Sequence, residues 1–348
     1  MRSSGFPEYR PARRILTHAP SAPVVFFCLL GVLSLPLVWG GFGCGTELTP
    51  VSSIVRLRIL AIQADPPEAQ PGESVRLSAL VVDPFWESRG MDWTFVLCTP
   101  DEDSGECFEY SALETHYSNP DVLQDEYASC CLRGGNVNPA DPVLDLGDTL
   151  FTTVQISPEM LDGLSDEAAE EGINAQVNVV VCESGVCAES LSEPGADASS
   201  SELSLRLPAD QSAFGIKRIR VSSRDEDHRN HNPVLKGIVI DGAVYDEGYG
   251  FQAFRGATYV LHPLLEDGSV ETYDDPDAPG TEKTEQPYFA WYGLDGAFSA
   301  YYSEPGVDDA DVMWTAPTDE AIGDTYLFAV VWDRRGGIDW VSVPVRLF

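Results

Sequence analysis

IVRLRILAIQ, residues 54–63, indicates the fold class, because apolar and basic side chains alternate along its first half. Val55, Leu57 and Ile59 occupy alternate positions, and two arginines and Leu60 occupy the positions between and after them. Successive side chains of a β-strand point to opposite faces of the sheet, so this pattern predicts a strand with one buried face.

Short segments of the same kind, separated by Gly, Pro and Asp turn signals, recur along the chain. They predict further strands at residues 73–82, 93–98, 151–156, 176–182, 203–207, 216–221, 234–240, 257–263, 288–292, 312–314, 326–332 and 340–347. Ser157 followed by Pro158 and early acidic residues predicts one short helix over 157–171. Many short strands with one helix are typical of all-β sandwiches.

The two halves follow one plan, which predicts two domains in tandem. Each half opens with a basic alternating strand, has a Trp-led strand at Trp93 or Trp291, and closes with an alternating strand. We expect a tether at 45–53, a first β-sandwich at 54–208, a linker at 209–213 and a second β-sandwich at 214–348.

Residues 99–147 interrupt the first predicted domain with an irregular, Pro-, Gly- and Asp-rich insertion. Six cysteines follow residue 44, and an even number of cysteines in an exported chain indicates disulfides. They are Cys98, Cys107, Cys130, Cys131, Cys182 and Cys187. Cys130 and Cys131 are adjacent, and a bond between neighbours is strained, so each should bond to a different partner. Local bonds at both 98–107 and 182–187 would leave no such partners, and the spacing does not choose among the connectivities.

Export itself is predicted by residues 1–44. Three arginines at 10, 13 and 14 precede an uncharged, mostly apolar run over residues 23–44, as in a secretory signal. The run approaches the length that spans a bilayer, so an uncleaved helical anchor is one alternative, and ordinary cleavage with release is another. Gly43-Cys44 resembles the lipobox of bacterial lipoproteins, which implies that Cys44 is lipidated.

Three short motifs resemble bacterial immunoglobulin-like domains. Residues 291–296, WYGLDG, are similar to a turn of PKD-type modules, and residues 323–330, GDTYLFAV, resemble their G-x-Y-x-V strand. Residues 71–77, PGESVRL, are similar to the second strand of bacterial Ig-like modules. Together with Cys44, the resemblance implies an outer-membrane-type lipoprotein with Ig-like (PKD-like) domains on the periplasmic or cell-surface face.

A formal net charge of −35 argues against nucleic acid and against adhesion of the domain surface to anionic lipid. It is compatible with divalent cations. Ca²⁺ prefers carboxylate and carbonyl oxygens, whereas Zn²⁺ binds closely spaced imidazoles such as those of His228 and His231. Three acidic stretches are therefore candidate metal sites, with a solvated loop as the alternative for each. Their candidate ligands are Asp225, Asp227, His228, His231, Asp274, Asp275, Asp277, Asp308, Asp309 and Asp311. No other cofactor is predicted.

Exposed aromatic side chains are the remaining candidates for binding, since they could form a carbohydrate-stacking platform. Trp291 and Trp332 lie in or beside apolar runs and are predicted to be core, whereas Tyr301-Tyr302 is the better surface candidate. Trp86, Tyr292 and Trp340 complete this set.

The sequence lacks the common signatures of hydrolases and nucleotide-binding enzymes. We therefore expect a non-catalytic spacer, adhesion or partner-binding module with a protein or carbohydrate partner. The alternatives are a secreted carbohydrate-active or other hydrolase and a calcium-dependent structural module.

Overall fold

The fold was obtained as a computed structural model, which describes residues 49–85, 91–98, 131–137, 149–187, 207–275, 278, 280–305 and 310–348. Within these ranges the chain forms twenty strands, the α-helix α1 (Asp166–Glu171) and a 3₁₀ turn (Glu226–His228). The protein is therefore all-β, as the sequence predicts. The signal segment, Cys44 and residues 45–48 of the predicted tether lie outside the described residues.

Eight strands form two sheets in the first part of the chain. They are β1 (Arg58–Asp65), β2 (Glu68–Ala69), β3 (Ser74–Val82), β4 (Met91–Cys98), β5 (Cys131–Val137), β6 (Thr149–Gln155), β7 (Ile173–Glu183) and β8 (Ser212–Val221). Sheet 1 has the order β1-β3-β6, and sheet 2 has the order β2-β8-β7-β4-β5.

Twelve strands follow, ten of which form two more sheets. They are β9 (Leu235–Ile240), β10 (Ala243–Tyr245), β11 (Phe251–Ala253), β12 (Thr258–Leu265), β13 (Thr272–Asp274), β14 (Glu282–Thr284), β15 (Tyr288–Gly293), β16 (Ala297–Phe298), β17 (Tyr302–Ser303), β18 (Val312–Thr315), β19 (Thr325–Trp332) and β20 (Ile338–Leu347). Sheet 3 has the order β10-β9-β12-β18-β16, sheet 4 has the order β11-β20-β19-β15-β17, and β13 pairs with β14 in a separate hairpin.

Each pair of sheets encloses its own hydrophobic core. Phe95 on β4, Leu77 on β3 and Val179 on β7 are fully buried in the cluster between sheets 1 and 2. Trp291 and Trp314 are fully buried in the corresponding cluster between sheets 3 and 4. Burying large apolar side chains from two facing sheets is the main favourable contribution to the stability of such a layered arrangement.

A third apolar cluster joins the two halves, and we call it the junction cluster. Leu60 of β1 and Val82 of β3 contribute to it from sheet 1, and Phe328 and Val330 of β19 contribute from sheet 4. Sheet 1 is therefore covered on both faces. The first residues described also dock on sheet 4, because the Ile54 amide donates to the Gly293 carbonyl at 3.0 Å.

Polar contacts surround the junction cluster and link the halves further. The side-chain amide of Gln63 donates to the Ile338 carbonyl at 2.6 Å. The Asn232 side chain donates to the Ala64 carbonyl at 2.7 Å and accepts from the Ile338 amide at 2.9 Å. One asparagine thus bridges β1 to the start of β20 and satisfies backbone groups on both sides.

The boundary between the predicted domains needs correction. Residues 216–221 do not open the second half, because β8 pairs with β7 along its whole length, from Ile173↔Val221 to Cys182↔Ser212. Residues 212–213 of the predicted 209–213 linker belong to this strand. The passage between the halves instead lies between β8 and β9, over residues 222–234.

Two predicted irregular regions also contain regular structure. Part of the 99–147 insertion is β5, which is antiparallel to β4 with Met91 opposite Val137. Residues 271–285, for which the sequence predicts no strand, contain the hairpin β13–β14. The predicted helix is shorter than expected, since Ser165 rather than Ser157 caps it by accepting from the Ala168 amide. Residues 201–206, which include most of the predicted 203–207 strand, lie outside the described residues.

The start of the chain's described part also differs from prediction. Residues 49–53 were expected in a polar tether, but Ser52 is only 4% exposed and its carbonyl accepts from the Gly293 amide at 2.9 Å. Strand β1 correspondingly begins at Arg58 rather than residue 54. The other predicted strands that fall within the described ranges overlap observed ones.

Candidate functional site

The outer face of sheet 4 carries a row of aromatic side chains beside the junction cluster. On β15, Phe289 and Trp291 point into the core, so the intervening Tyr288 and Tyr292 point to the other face. Trp332 of β19 lies directly opposite Tyr288 in the antiparallel register. The alternation of β15 therefore places its tyrosines outside the core.

These side chains form part of an open groove, which we call the aromatic groove. Its aromatic lining comes from Tyr288, Tyr292, Tyr301, Tyr302 and Trp332, and its volume is about 580 Å³. The rings of Tyr288 and Trp332 stack with centroids 5.0 Å apart and planes at 9°. The rings of Tyr301 and Tyr302 meet edge to face, with centroids 4.7 Å apart. Such a concave aromatic lining is typical of a ligand-binding surface.

Arg334 and Glu304 supply the charges of the described groove lining, and a second arginine lies beside it. Nη2 of Arg334 lies 2.6 Å from Oε1 of Glu304, and both residues line the groove. The guanidinium of Arg334 lies over the Tyr288 ring, 5.4 Å from its centroid, and that of Arg58 lies 5.3 Å from the Tyr292 centroid. Both tyrosines therefore already hold a cation against their ring.

The two phenols remain hydrogen-bond donors over a wider pH range than a free tyrosine. Burial raises the pKa of Tyr288, and the Arg334 guanidinium opposes this change. Burial likewise raises the pKa of Tyr292, and Arg58 opposes it. Desolvation disfavours the phenolate, so each hydroxyl stays protonated through neutral pH.

The first half of the chain completes the groove. Val51 lines it, and Nη1 of Arg58 donates to the Val51 carbonyl at 2.6 Å. Tyr292 and Trp332 also pack against the junction cluster. The aromatic groove is thus built where the two halves meet, and its shape depends on both.

Sequence reasoning placed only some of these aromatics correctly. Trp291 is fully buried and its indole nitrogen donates to the Ser303 hydroxyl at 3.0 Å, so its assignment to the core is right. Trp332 was also predicted to be core, but it lines the groove and is only partly buried. Tyr301 and Tyr302 are 51% and 47% exposed, as a surface site requires.

Of the other aromatics considered for a stacking platform, Trp340 packs against the junction cluster. Trp86 lies outside the described residues.

The predicted metal ligands do not assemble where the structure describes them. Asp225, Asp227 and His228 are exposed around the 3₁₀ turn, whereas Nδ1 of His231 lies 2.7 Å from Oε1 of Glu271. Among the described residues, no group of three or more His, Cys, Asp or Glu side chains is arranged to hold a metal ion.

The other candidate ligands are dispersed or fall outside the described ranges. Asp274 ends β13 and Asp275 follows it, whereas Oδ1 of Asp311 lies 2.8 Å from Nδ1 of His262. Asp277, Asp308 and Asp309 lie outside the described residues.

A buried polar cluster between the halves was not predicted. Asn230 bridges two buried carboxylates: its amide nitrogen donates to Glu68 at 3.0 Å and its side chain donates to Asp333 at 2.8 Å. The Asp333 carboxylate also accepts from the backbone amides of 335, 336 and 337, which stabilises the turn between β19 and β20. The sequence contains no recognisable motif for this contact, because its members lie far apart in the chain.

Lys217 is the buried cation of this region. It is 4% exposed, and its ammonium donates to the Gly336 carbonyl. Burial lowers its pKa from 10.5 to about 8, and the nearby Asp333 carboxylate partly offsets this change. The carboxyl of Glu285 is also buried, which raises its pKa, although Nη1 of Arg335 lies 2.9 Å away. These groups form structural contacts, and none of them belongs to the described lining of the aromatic groove.

Two of the six predicted disulfide cysteines are joined in the structure. Cys182 at the end of β7 and Cys187 are bonded across a short turn and are fully buried. The backbones of Cys98 and Cys131 lie on the paired strands β4 and β5. Cys107 and Cys130 lie outside the described residues.

No protein-family model and no curated protein matches the chain. One similar solved structure is a nucleoside hydrolase-related hypothetical protein from Saccharophagus degradans that is associated with carbohydrate metabolism; the identity is 12%, the TM-score is 0.24, and the match covers 43% of this chain and 37% of that one. Another is the N-terminal Ig1-2 module of the Drosophila receptor protein tyrosine phosphatase DLAR, with 9% identity, a TM-score of 0.23, and 84% and 99% coverage. At these TM-scores neither likeness carries an argument about this chain.

Membrane-spanning helices were sought in the described part of the chain. None of its helices has the length and apolar character that crossing a bilayer requires.

Proposed function

We propose that this chain is an exported, membrane-tethered binding protein without catalytic activity, built from two Ig-like β-sandwiches, and that the aromatic groove is its binding surface. The observation that carries the proposal is the cluster of five aromatic side chains around an open groove of about 580 Å³. Aromatic side chains supply large contact areas at a low cost in conformational entropy, which suits a binding role.

Export and anchoring rest on the leader sequence. The basic and apolar segments before Cys44 favour secretion, and Gly43-Cys44 favours lipidation on the outer membrane, with either face possible. The bond between Cys182 and Cys187 supports this proposal, because structural disulfides persist in oxidising compartments.

A hydrolytic role finds less support in the groove. Glycosidases act with two carboxyl groups on either side of the scissile bond. Glu304 is the single carboxylate among the described residues that line the groove, and it is paired with Arg334. Binding without catalysis is therefore the function that the arrangement favours.

Metabolic labelling tests the tether. The full-length chain, expressed in a Gram-negative host with labelled palmitate, should fractionate with membranes and carry label, whereas Cys44→Ala should carry none. Cys28→Ala is the matched control and should keep the label. Membrane association without label would indicate the uncleaved helical anchor, and a product in the cytosolic fraction would contradict the proposal.

Calorimetry tests the binding surface. The full chain, extracted in a detergent without a sugar headgroup, is titrated with neutral and acidic oligosaccharides and with proline-rich, acidic and basic peptides. At least one probe should bind, and its affinity should fall in the double variant Tyr301→Ala, Tyr302→Ala. If no probe shows binding that depends on these tyrosines, the assignment of the groove as the binding surface is wrong.

A further inference from the structure

We propose that the ligand of the aromatic groove is a neutral saccharide chain, an inference that rests on the proposed binding function and specifies its ligand class. The inference draws on three properties of the groove: its charges, the packing of its rings and the chemistry of its polar groups. Each property argues against a different class of ligand.

The charges disfavour ionic ligands of either sign. The chain has a formal net charge of −35, so the overall field repels anions. In the described lining of the groove, Arg334 and Glu304 form an ion pair, so a charged ligand of either sign finds no unpaired counter-charge there. Arg58 lies beside the lining, over the Tyr292 ring. The two tyrosine rings that would attract a cation already hold these arginines.

The ring packing disfavours a proline-rich peptide. Such peptides adopt a polyproline II helix and dock their prolyl rings into gaps between aromatic side chains. Here Tyr288 stacks directly on Trp332 at 5.0 Å, and Tyr301 contacts Tyr302 at 4.7 Å. Both pairs are closed, so the aromatic side chains present ring surfaces rather than gaps.

Exposed ring surfaces and fixed polar groups suit a sugar. The negative face of an aromatic ring attracts the partly positive C–H groups of a pyranose, and Tyr301 and Tyr302 are about half exposed for this contact, at 51% and 47%. A sugar hydroxyl both donates and accepts hydrogen bonds. The Arg334–Glu304 pair offers donors and acceptors side by side, with 2.6 Å between Nη2 and Oε1.

An aliphatic ligand would match the ring surfaces but would give the polar groups of the groove no hydrogen-bond partner. Val51 and Ala290 are the aliphatic members of the described lining, and the rest of that lining bears hydroxyl, indole, carboxylate or guanidinium groups. Buried polar groups left unpaired against a hydrocarbon would cost binding free energy. A neutral ligand with C–H faces and hydroxyl edges satisfies both parts of the lining.

The test uses isothermal titration of the full chain in the same detergent. The probes are neutral hexasaccharides of glucose, mannose, galactose and N-acetylglucosamine, a hexamer of a uronic acid, and decaproline. We expect at least one neutral hexasaccharide to bind, and Tyr301→Ala and Tyr302→Ala together to weaken it about tenfold or more. Glu304→Gln should weaken it less, because one acceptor and the ion pair are lost while the rings remain.

Matched controls separate the groove from the rest of the surface. Tyr249→Ala removes a tyrosine that is 72% exposed and does not line the groove, and it should leave the affinity unchanged. Thermal unfolding of every variant shows whether the fold is kept. Since the substituted tyrosines are half exposed, the unfolding midpoint should change little.

The outcomes distinguish this inference from the proposed function. Decaproline or a charged oligomer that binds through Tyr301 and Tyr302, with no neutral saccharide binding at millimolar concentration, would overturn the saccharide assignment and leave the binding function standing. Absence of any binding would overturn both. Saccharide binding that Tyr249→Ala reduces as much as the groove variants do would move the site elsewhere and reject the inference.

Discussion

Replacing Lys217 by Met should change how the stability of the protein depends on pH. The ammonium is buried between β8 and the turn that precedes β20, and burial lowers its pKa from 10.5 to about 8. A shift of one pKa unit corresponds to about 1.4 kcal/mol, so the lowered pKa of Lys217 represents about 3 kcal/mol of unfavourable burial of the charged form. Lys217→Met removes the titrating group and keeps a side chain of similar length.

The sign follows from proton binding. Between pH 8 and 10.5 the unfolded chain holds a proton on Lys217 that the folded chain has released, so the free energy of unfolding of the wild type rises with pH in this window. Below pH 8 both states are protonated and this contribution is constant. The difference between wild type and Lys217→Met should therefore shift by about 2 to 3 kcal/mol in favour of the wild type from pH 7 to pH 10.

Urea unfolding followed by tryptophan fluorescence, repeated at intervals of one pH unit, measures this difference. Effects of methionine on packing cancel, since they do not vary with pH. Lys236→Met is the matched control, because that lysine is 48% exposed and pairs with Glu266 at the surface. A difference between wild type and Lys217→Met that stays flat across the window would show that the amine is not buried as the structure describes.

Three other substitutions test the junction and the turns by the same unfolding assay. Phe328→Ala should lower the free energy of unfolding by about 3 to 5 kcal/mol, because it leaves a cavity between sheets 1 and 4. Phe254→Ala removes a side chain that is 71% exposed and should change stability little, so equal effects of the two would contradict the packing at the junction. Gly337→Ala should lower the free energy of unfolding by about 1 to 3 kcal/mol, because a Cβ there would meet the Asp333 carboxylate and lie 2.8 Å from the His231 carbonyl oxygen. Gly323→Ala is its control, since a Cβ at that position meets nothing within 4 Å and should not change stability. Replacing both cysteines at 182 and 187 by serine should lower stability by about 2 kcal/mol, because the short loop gains freedom in the unfolded state, and no loss under oxidising conditions would mean that the bond does not constrain the chain.

Strand periodicity predicted the fold class, but it could not show what covers each face. Residues 54–63 were interpreted as a strand with one buried face, which leaves Leu60 on the side of the arginines. In the structure Leu60 is buried against β19 because sheet 4 covers the second face of sheet 1. The consecutive apolar residues Leu60, Ala61 and Ile62 are the signal for this arrangement, since strands buried on both faces lose their alternation.

The wrong domain boundary has a related cause. The sequence IKRIRV at 216–221 mixes apolar and basic residues in the same way as the opening strand. Such a pattern does not specify which strand it pairs with. Ile219 and Val221 are buried as hydropathy suggests. The two residues that open this segment are placed the other way round, because Ile216 is 51% exposed and Lys217 is buried. Successive residues of a strand face opposite sides, and a prediction from alternation places the apolar ones inward. It therefore cannot identify a lysine that occupies an inward position.

The groove escaped prediction because its parts are distant in sequence. Tyr301 and Tyr302 were recognisable as surface aromatics, whereas Trp332 ends an apolar run and was assigned to the core. Arg334, which pairs with Glu304, adopts a positive φ of 72°, a conformation that is uncommon for a residue other than glycine and that its sequence does not predict. The pairing of β15 with β19 on one side and with β17 on the other brings these groups together.

The junction and the aromatic groove depend on each other. Trp332 both packs on the junction cluster and lines the groove. From the first half of the chain, Val51 lines the groove and Arg58 lies over the ring of Tyr292. A rotation of the halves would therefore separate the lining as well as expose Phe328. Val51 is also seven residues after Cys44, and an extended chain spans at most about 3.5 Å per residue. If Cys44 carries the proposed lipid, the groove lies within about 25 Å of the bilayer surface, so a saccharide ligand would have to reach it close to the membrane.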